Sequence, residues 1–497
     1  MPTRKLLARL AGPLAFVLVL LLGRPEGMTP EAQSVIAATL WIAIWWLTEA
    51  IPFGATSLLP LVLFPLTGAL PIKSAALGYA NPLIYLFVGG FVMALAMEKW
   101  NLHKRIALNI ILTAGTDMRG IVLGFMLATG ILSMWISNTA TTMMMLPIAL
   151  AIVAQFREFE RRNPEDRQQG PASEHSPVFG KALMLSIAYA ASIGGLATLV
   201  GTPTNIIFSG FVRDTYGTEI SFAQWMAVGL PVSALLLFIC WYYLVRFAFP
   251  LSSRAVPGGR LEIQQQLRAL GKMTWEEGWT LGIFGLVAFA WITRGYLIAP
   301  WLPALDDTLI ALIGALLLFL IPARSGKGEM LMDWKTAAGL PWGILILFGA
   351  GFAIAQGFEA TGLAQWIGGR LTLLQGVSFL LILLAIVALV NFLTEITLNM
   401  ATVSMILPVL AALAPAIGLH PYGLMVGACL AGSCAFMFPI ATAPNAIVFG
   451  SGLLHMQDMA RAGIWLNVIS IVLITLFIYF LMPVLWGMDL TVFPVGE

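Results

Sequence analysis

Four short polar clusters interrupt an otherwise apolar chain. The first is Ser133, Ser137, Asn138 and Thr139, inside a run from Ile121 to Val153 without a charged residue. The second is Gly201-Thr202-Pro203-Thr204-Asn205. The third is Thr394, Thr397, Asn399 and Thr402, and the fourth is Ala441-Thr442-Ala443-Pro444-Asn445. A buried amide or hydroxyl without a partner costs on the order of 1–3 kcal/mol, so polar groups in such surroundings need a reason. Main-chain carbonyls and side-chain oxygens suit a hard cation such as Na+. Free amides and the positive end of a half-helix suit a carboxylate. The plainer account is a set of polar groups bridging tightly packed helices. Two breaks in one half, both echoed in the other, favour ligand binding over that account.

The elements that must position these residues come in two copies. Asn138 precedes Leu146-Pro147 in the register in which Asn399 precedes Leu407-Pro408, an offset of 399 − 138 = 261 residues. The same offset aligns Leu86-Phe87, Gly90-Phe91, Glu98 and Leu102 with Leu347-Phe348, Gly351-Phe352, Glu359 and Leu363. One offset joining features this far apart marks an internal repeat. Segments 121–155 and 376–416 each have two apolar arms meeting at a polar centre without a solvated loop, and they read as re-entrant helical hairpins. Non-helical backbone at that depth survives only when buried in protein or lining a cavity. Pro203 removes a backbone donor and Gly201 tolerates unusual dihedrals, so 182–212 reads as a broken helix, and 422–452 repeats it.

Composition places these elements in a membrane. The chain is 59% hydrophobic and 10% charged, with mean hydropathy +0.91, which excludes a soluble globular enzyme. Cys240, Cys429 and Cys434 lie in apolar segments and form no disulfide framework, and four scattered histidines make no metal centre. A net charge of +2 gives no reason to expect a nucleic-acid partner. Further spans are expected near 12–23, 32–50, 53–70, 81–98, 227–249, 278–298, 307–322, 341–358 and 463–486. The N-terminal stretch resembles a signal peptide, but Arg24-Pro25-Glu26 follows where a cleavage site would stand, so it reads as a retained first span. With the N-terminus in the cytoplasm and the C-terminus outside, all of the 26 Lys and Arg except Arg24, Lys73, Arg213, Arg294 and Arg370 fall on the cytoplasmic side. An odd number of spans separates the copies, so the second is inverted. Residues 156–180 read as a solvated linker and 260–277 as an interfacial amphipathic helix. Trp45, Trp46, Trp275, Trp279, Trp301, Trp334 and Trp342 read either as interface anchors or as packing. Glu395 is an acid inside a hairpin, a functional candidate or a partner for the hairpin's backbone.

Ser-Asn-Thr at 137–139, Gly-Thr-Pro-x-Asn at 201–205, Thr-Glu-x-Thr-x-Asn at 394–399 and Ala-Thr-x-Pro-Asn-Ala-Ile-Val-Phe-Gly at 441–450 resemble the divalent anion/sodium symporters, the citrate, dicarboxylate and sulfate carriers. Trp46-Leu47-Thr48-Glu49-Ala50-Ile51-Pro52 fits the same family, and the resemblance runs through nearly the whole chain in order. It implies an all-α polytopic protein of about 11 transmembrane helices and two hairpins in two inverted repeats, working as a homodimer by an elevator mechanism. It places one Na+ at Ser133, Ser137, Asn138 and Gly201 and a second at Thr394, Thr397, Asn399 and Ala441. Substrate binding falls to Ser137, Asn138, Thr139, Thr202, Pro203, Asn399, Thr442 and Pro444. The corresponding division is scaffold at 1–110 and 278–371, and transport domain at 121–249 and 376–497. One departure stands out. The second hairpin carries Leu398-Asn399-Met400 where the family has another Ser-Asn-Thr-like triplet, so two hydroxyls are replaced by apolar side chains. The expected function is Na+-coupled symport of a small organic anion across the bilayer, in the bacterial inner membrane. The alternatives are a Na+-independent exchanger of the same fold, a sulfate or monocarboxylate carrier and, more distantly, an ion channel.

Overall fold

Helix starts in this chain are written in its caps. Thr29, Asn81, Ser221, Thr274, Asp306, Asp333, Ser378 and Thr442 each accept a backbone N–H of the turn that follows, which satisfies donors that a helix cannot satisfy itself. The computed structural model describes residues 2–115, 117–162, 176–253, 256, 258–324, 328–370 and 376–493. Among these the regular structure is helical apart from isolated bridge residues, Pro322 pairing with Met330.

Among the described residues, eight helical segments are long and apolar enough to cross a bilayer: Ile72–Lys99, Asn138–Arg162, Ser176–Gly195, Phe222–Ala248, Trp275–Ile298, Trp342–Ala360, Asn399–Ala416 and Met456–Phe480. Shorter apolar helices complete them, among them Met118–Ser133, Phe379–Leu393 and Pro421–Ala431. The 53–70 segment departs from the expected single span. It folds as Phe53–Thr56 and Leu59–Leu66, because Pro60 opens the second helix and Pro65 sits within it. The next crossing is Pro82–Lys99, where the 81–98 segment is expected; Asn81 caps it, and the short helix Ile72–Leu77 precedes it. The amphipathic helix is also shorter than expected. It ends at Ala269, and Gly271, at φ 66°, turns the chain before Trp275. Trp46 is packing and no anchor: it is buried and donates to Ser57 Oγ. Trp275, Trp279, Trp301, Trp334 and Trp342 are exposed. Of the expected linker at 156–180, both flanks are helical and residues 163–175 lie outside the described residues.

Charged and polar side-chain pairs mark two opposite ends of the helices. The Pro82–Lys99 crossing has Asn81 at one end, where its Nδ2 donates to Asp214 Oδ2 at 2.7 Å. At the other end Lys99 meets Asp333 at 2.7 Å, and that ammonium, with the Thr336 amide and hydroxyl, holds the Asp333 carboxyl well below the usual carboxylate range. Arg105 with Glu277 and Lys181 with Asp458 also pair. Arg294 bridges Glu219 at 2.6 Å and Asp307 at 3.4 Å.

The segments that carry the polar clusters interlock. Ser176–Gly195 packs on Met118–Ser133, on Asn138–Arg162 and on Ala443–Phe449. Pro203–Tyr216 packs on Asn399–Ala416, on Pro421–Ala431 and on Trp342–Ala360. The second arm of each hairpin therefore lies against the second half of the other repeat's broken helix.

Candidate functional site

Each hairpin tip is a break between two helices. Met118–Ser133 ends and Asn138–Arg162 follows after four intervening residues; Phe379–Leu393 ends and Asn399–Ala416 follows after five. Residues 137–140 and 398–400 are half-buried, whereas Ser133 and Thr394 beneath them are buried.

The same oxygen arrangement recurs under both tips. Ser133 Oγ lies 2.5 Å from Asn138 Oδ1 and 2.7 Å from the Ala191 carbonyl. Thr394 Oγ1 lies 2.7 Å from Asn399 Oδ1 and 2.9 Å from the Gly432 carbonyl. A hydroxyl carries one proton. It can donate to only one of two acceptors, so in each triad one close oxygen–oxygen contact has no hydrogen between the pair. A cation among the three oxygens relieves that contact, and three oxygens from a hydroxyl, an amide and a carbonyl are ligands of the kind hard cations take.

The broken helices are held by matched clamps at an offset of 445 − 205 = 240 residues. Asn205 Nδ2 donates to the carbonyls of Gly195 and Thr198 at 3.1 and 2.7 Å. Asn445 Nδ2 donates to those of Ala435 and Phe438 at 3.1 and 3.0 Å. Trp225 Nε1 donates to Leu196 O, and Tyr189 Oη donates to Phe436 O. Gly229 seats one neighbouring helix on the first break and Gly463 another on the second, since a Cβ at either would collide with the break's backbone. Thr204 Oγ1 and Ser433 Oγ, 2.7 Å apart, join the two breaks directly.

The structure brings Ser133, Asn138 and Gly201 together. A Cβ on Gly195 would stand 3.0 Å from both Asn138 Oδ1 and Gly201 O, so the first break is closed at glycine spacing. Thr202 is the buried N-cap residue of Pro203–Tyr216 with Pro203 first in the helix, and its side chain makes no cap bond. Thr442 does cap, accepting from Asn445 N at 3.2 Å, and Pro444 is buried behind it. Ser137 accepts from Ala140 N, and Thr139 is half-buried beside it. Thr397 turns its hydroxyl away from the triad: it donates to Leu393 O at 2.8 Å and contacts Thr402 Oγ1. Ala441 is buried. Leu398 and Met400 are half-buried against the apolar core. Glu395 faces away from solvent entirely and accepts from the Phe436, Met437 and Phe438 amides and from Asn467. Of its two readings, backbone support is the one its contacts carry.

Sequence reasoning passed over Tyr189, Trp225, Ser433 and Asn467. Asn467 had a signal: it is a lone amide in the charge-free stretch after Arg461. Tyr189 and Trp225 had none, because an aromatic donor in an apolar helix looks like packing.

A chain of interlocked broken helices and hairpins with paired oxygen triads at its breaks has the build of a membrane transporter. Residues 3–489 match the family described as the sodium:sulfate symporter transmembrane region, and the chain belongs to that family. It is 48% identical over 490 residues to the sodium-dependent dicarboxylate transporter SdcS of Staphylococcus saprophyticus, covering 98% of this chain and 93% of the relative. It is 47% identical over 491 residues to the SdcS of Staphylococcus aureus strain MRSA252, with the same coverage. Two solved transporters share the fold at low identity. The Alcanivorax borkumensis YdaH transporter aligns with TM-score 0.59 at 12% identity, over 91% of this chain and 99% of that one. Neisseria gonorrhoeae MtrF aligns with TM-score 0.57 at 14% identity, over 94% and 98%.

Proposed function

We propose that this protein is a Na+-coupled symporter of a small dicarboxylate, and that the two oxygen triads are its cation sites. The observation that carries the reading is the excess of oxygens over protons around Ser133 and Thr394. The names of the SdcS relatives favour a dicarboxylate over sulfate. One Na+ is held by Ser133, Asn138 and backbone oxygens near Gly201, with Ser137 at the rim. The other is held by Thr394, Asn399 and backbone oxygens near Thr397 and Ala441. The anion lies between the half-buried tips, against Ser137, Asn138, Thr139 and Asn399 and the helix starts at Thr202-Pro203 and Thr442-Pro444. The two repeats are inverted, which the crossed packing of hairpin arms on half-helices supports. The hairpins and broken helices travel together past a scaffold of 1–110 and 278–371, because the site is built from all four. The protein works as a homodimer in the bacterial inner membrane, with the N-terminus in the cytoplasm and the C-terminus outside.

The test is uptake of labelled succinate into proteoliposomes of purified protein, under an inward Na+ gradient and under K+ alone. Na+-driven accumulation is expected, and Asn138→Ala or Asn399→Ala should abolish it without loss of folded protein. Equal uptake in K+ by succinate-loaded vesicles would instead identify a Na+-independent exchanger.

A further inference from the structure

The two breaks solve one geometric problem in different ways. At the first, Gly195 and Gly201 face each other so closely that a Cβ at 201 would come 2.5 Å from Gly195 O. Their counterparts at the offset of 240 are Ala435 and Ala441, which both carry that Cβ. The second break is accordingly wider. The first half-helix of the first repeat runs to Gly195, whereas its counterpart stops at Ala431, which corresponds to residue 431 − 240 = 191. Four residues, about one helical turn, are unwound.

Unwinding exposes amides that need partners. At the first break Leu196 N and Ala197 N donate within their own helix, to Ile193 O and Gly194 O. At the second, Phe436 N, Met437 N and Phe438 N all point at Glu395, at 2.7, 3.0 and 3.2 Å, and Asn467 Nδ2 adds a fourth donor at 2.7 Å. The residue matching Glu395 in the first hairpin is Met134 (395 − 261). It has no acid to offer, and there it needs none. The unwound turn also begins at Gly432, whose carbonyl is the third oxygen of the Thr394 triad. In the first half that oxygen is Ala191 O, inside an intact helix.

We propose that Glu395 is a positioning residue for the second cation site: its carboxylate holds the wider break open and so fixes the carbonyl that completes the Thr394–Asn399 triad. This rests on the symport reading for its ligand but makes a claim of its own, that the two halves differ in what their ion affinity depends on. The second half depends on a buried negative charge. The first depends on glycine spacing.

The experiment compares wild type, Glu395→Gln and Asn467→Ala in proteoliposomes, with amide hydrogen exchange on the purified proteins. Glutamine keeps the shape but turns an NH2 toward amide donors. Glu395→Gln should raise the half-saturating Na+ concentration at least tenfold and lower the Na+ Hill coefficient, with succinate half-saturation at saturating Na+ changing less than threefold. Exchange should quicken at Phe436–Phe438 and stay unchanged at Leu196–Thr198. Asn467→Ala, which removes a single donor, should shift both readouts the same way by a smaller factor, and it decides the matter if Glu395→Gln does not reach the membrane. Unchanged Na+ dependence, or an equal loss of Na+ and succinate affinity with faster exchange at both breaks, overturns the proposal. Wild type without Na+ dependence overturns the symport reading instead, and the exchange data then still decide whether Glu395 holds the second break.

Discussion

Replacing Ser133 by alanine tests the reading of the oxygen triads most directly. In the empty site this change removes one hydrogen bond, worth about 1 kcal/mol net, and also relieves the oxygen–oxygen contact that Ser133 Oγ makes with Asn138 Oδ1 or Ala191 O. The apo protein should therefore lose little stability. The cation-loaded site loses an oxygen ligand, and interactions with a charged partner are worth roughly 1.5–3 kcal/mol. That corresponds to a fall in Na+ affinity of about 10- to 150-fold. Linkage turns this into a measurable shift. At a Na+ concentration of about 100 times the wild-type Kd, bound Na+ stabilises the fold by about 2.7 kcal/mol, and a tenfold loss of affinity cuts this to about 1.4 kcal/mol. Thermal unfolding of purified Ser133→Ala in K+ should match wild type, and the added stability in Na+ should be about halved or smaller. The reverse pattern, a large loss in K+ with an undiminished Na+ increment, would mean that Ser133 is a packing hydroxyl and that the triad is no cation site.

Two further outcomes are expected. Leu398→Ser with Met400→Thr gives the second tip the hydroxyls that the first has. Each charge-assisted hydrogen bond is worth roughly 1.5–3 kcal/mol, so affinity for citrate relative to succinate should rise about tenfold or more in competition uptake. An unchanged ratio would place both side chains outside the anion's reach. Cysteines at Asn81 and Asp214, whose side chains touch at 2.7 Å between the proposed scaffold and the helices proposed to move, should stop turnover when bridged by a short bis-methanethiosulfonate and recover on reduction. The native cysteines are buried and leave that reaction clean. Full turnover in the bridged protein would rule out relative movement at this contact.

The positions of the breaks were legible because proline, glycine and clustered hydroxyls stand out against charge-free apolar sequence. Asn138, Asn399, Gly201 and Pro203 all lie where that contrast placed them. The 53–70 segment misled because its hydropathy is that of a span while Pro60 and Pro65 set its backbone. Hydropathy reports what a segment can be buried in, and says nothing of whether its helix continues. The clamps were legible only in part. Asn205 and Asn445 sit inside the motifs, but the carbonyls they hold lie seven to ten residues upstream, and no spacing rule ties a side chain to a carbonyl in an unwound turn. The role of Glu395 was open in the sequence for the same reason. Its partners are backbone amides about forty residues away, and a backbone amide has no sequence signature.

The lack of arginine or lysine in the charge-free runs around the tips has a consequence for coupling. A dicarboxylate between the tips meets no fixed positive side chain, so bound cations and amide dipoles must offset its desolvation. Two unit charges about 4 Å apart at an effective dielectric of about 20 attract by about 4 kcal/mol. That is about three orders of magnitude in affinity, and linkage makes it mutual: the ion tightens the anion by the factor by which the anion tightens the ion. A site built with its own arginine would bind the anion without the ion and allow it to cross alone. If the two oxygen triads are the proposed cation sites, they make that uncoupled state costly and tie the two cargoes together.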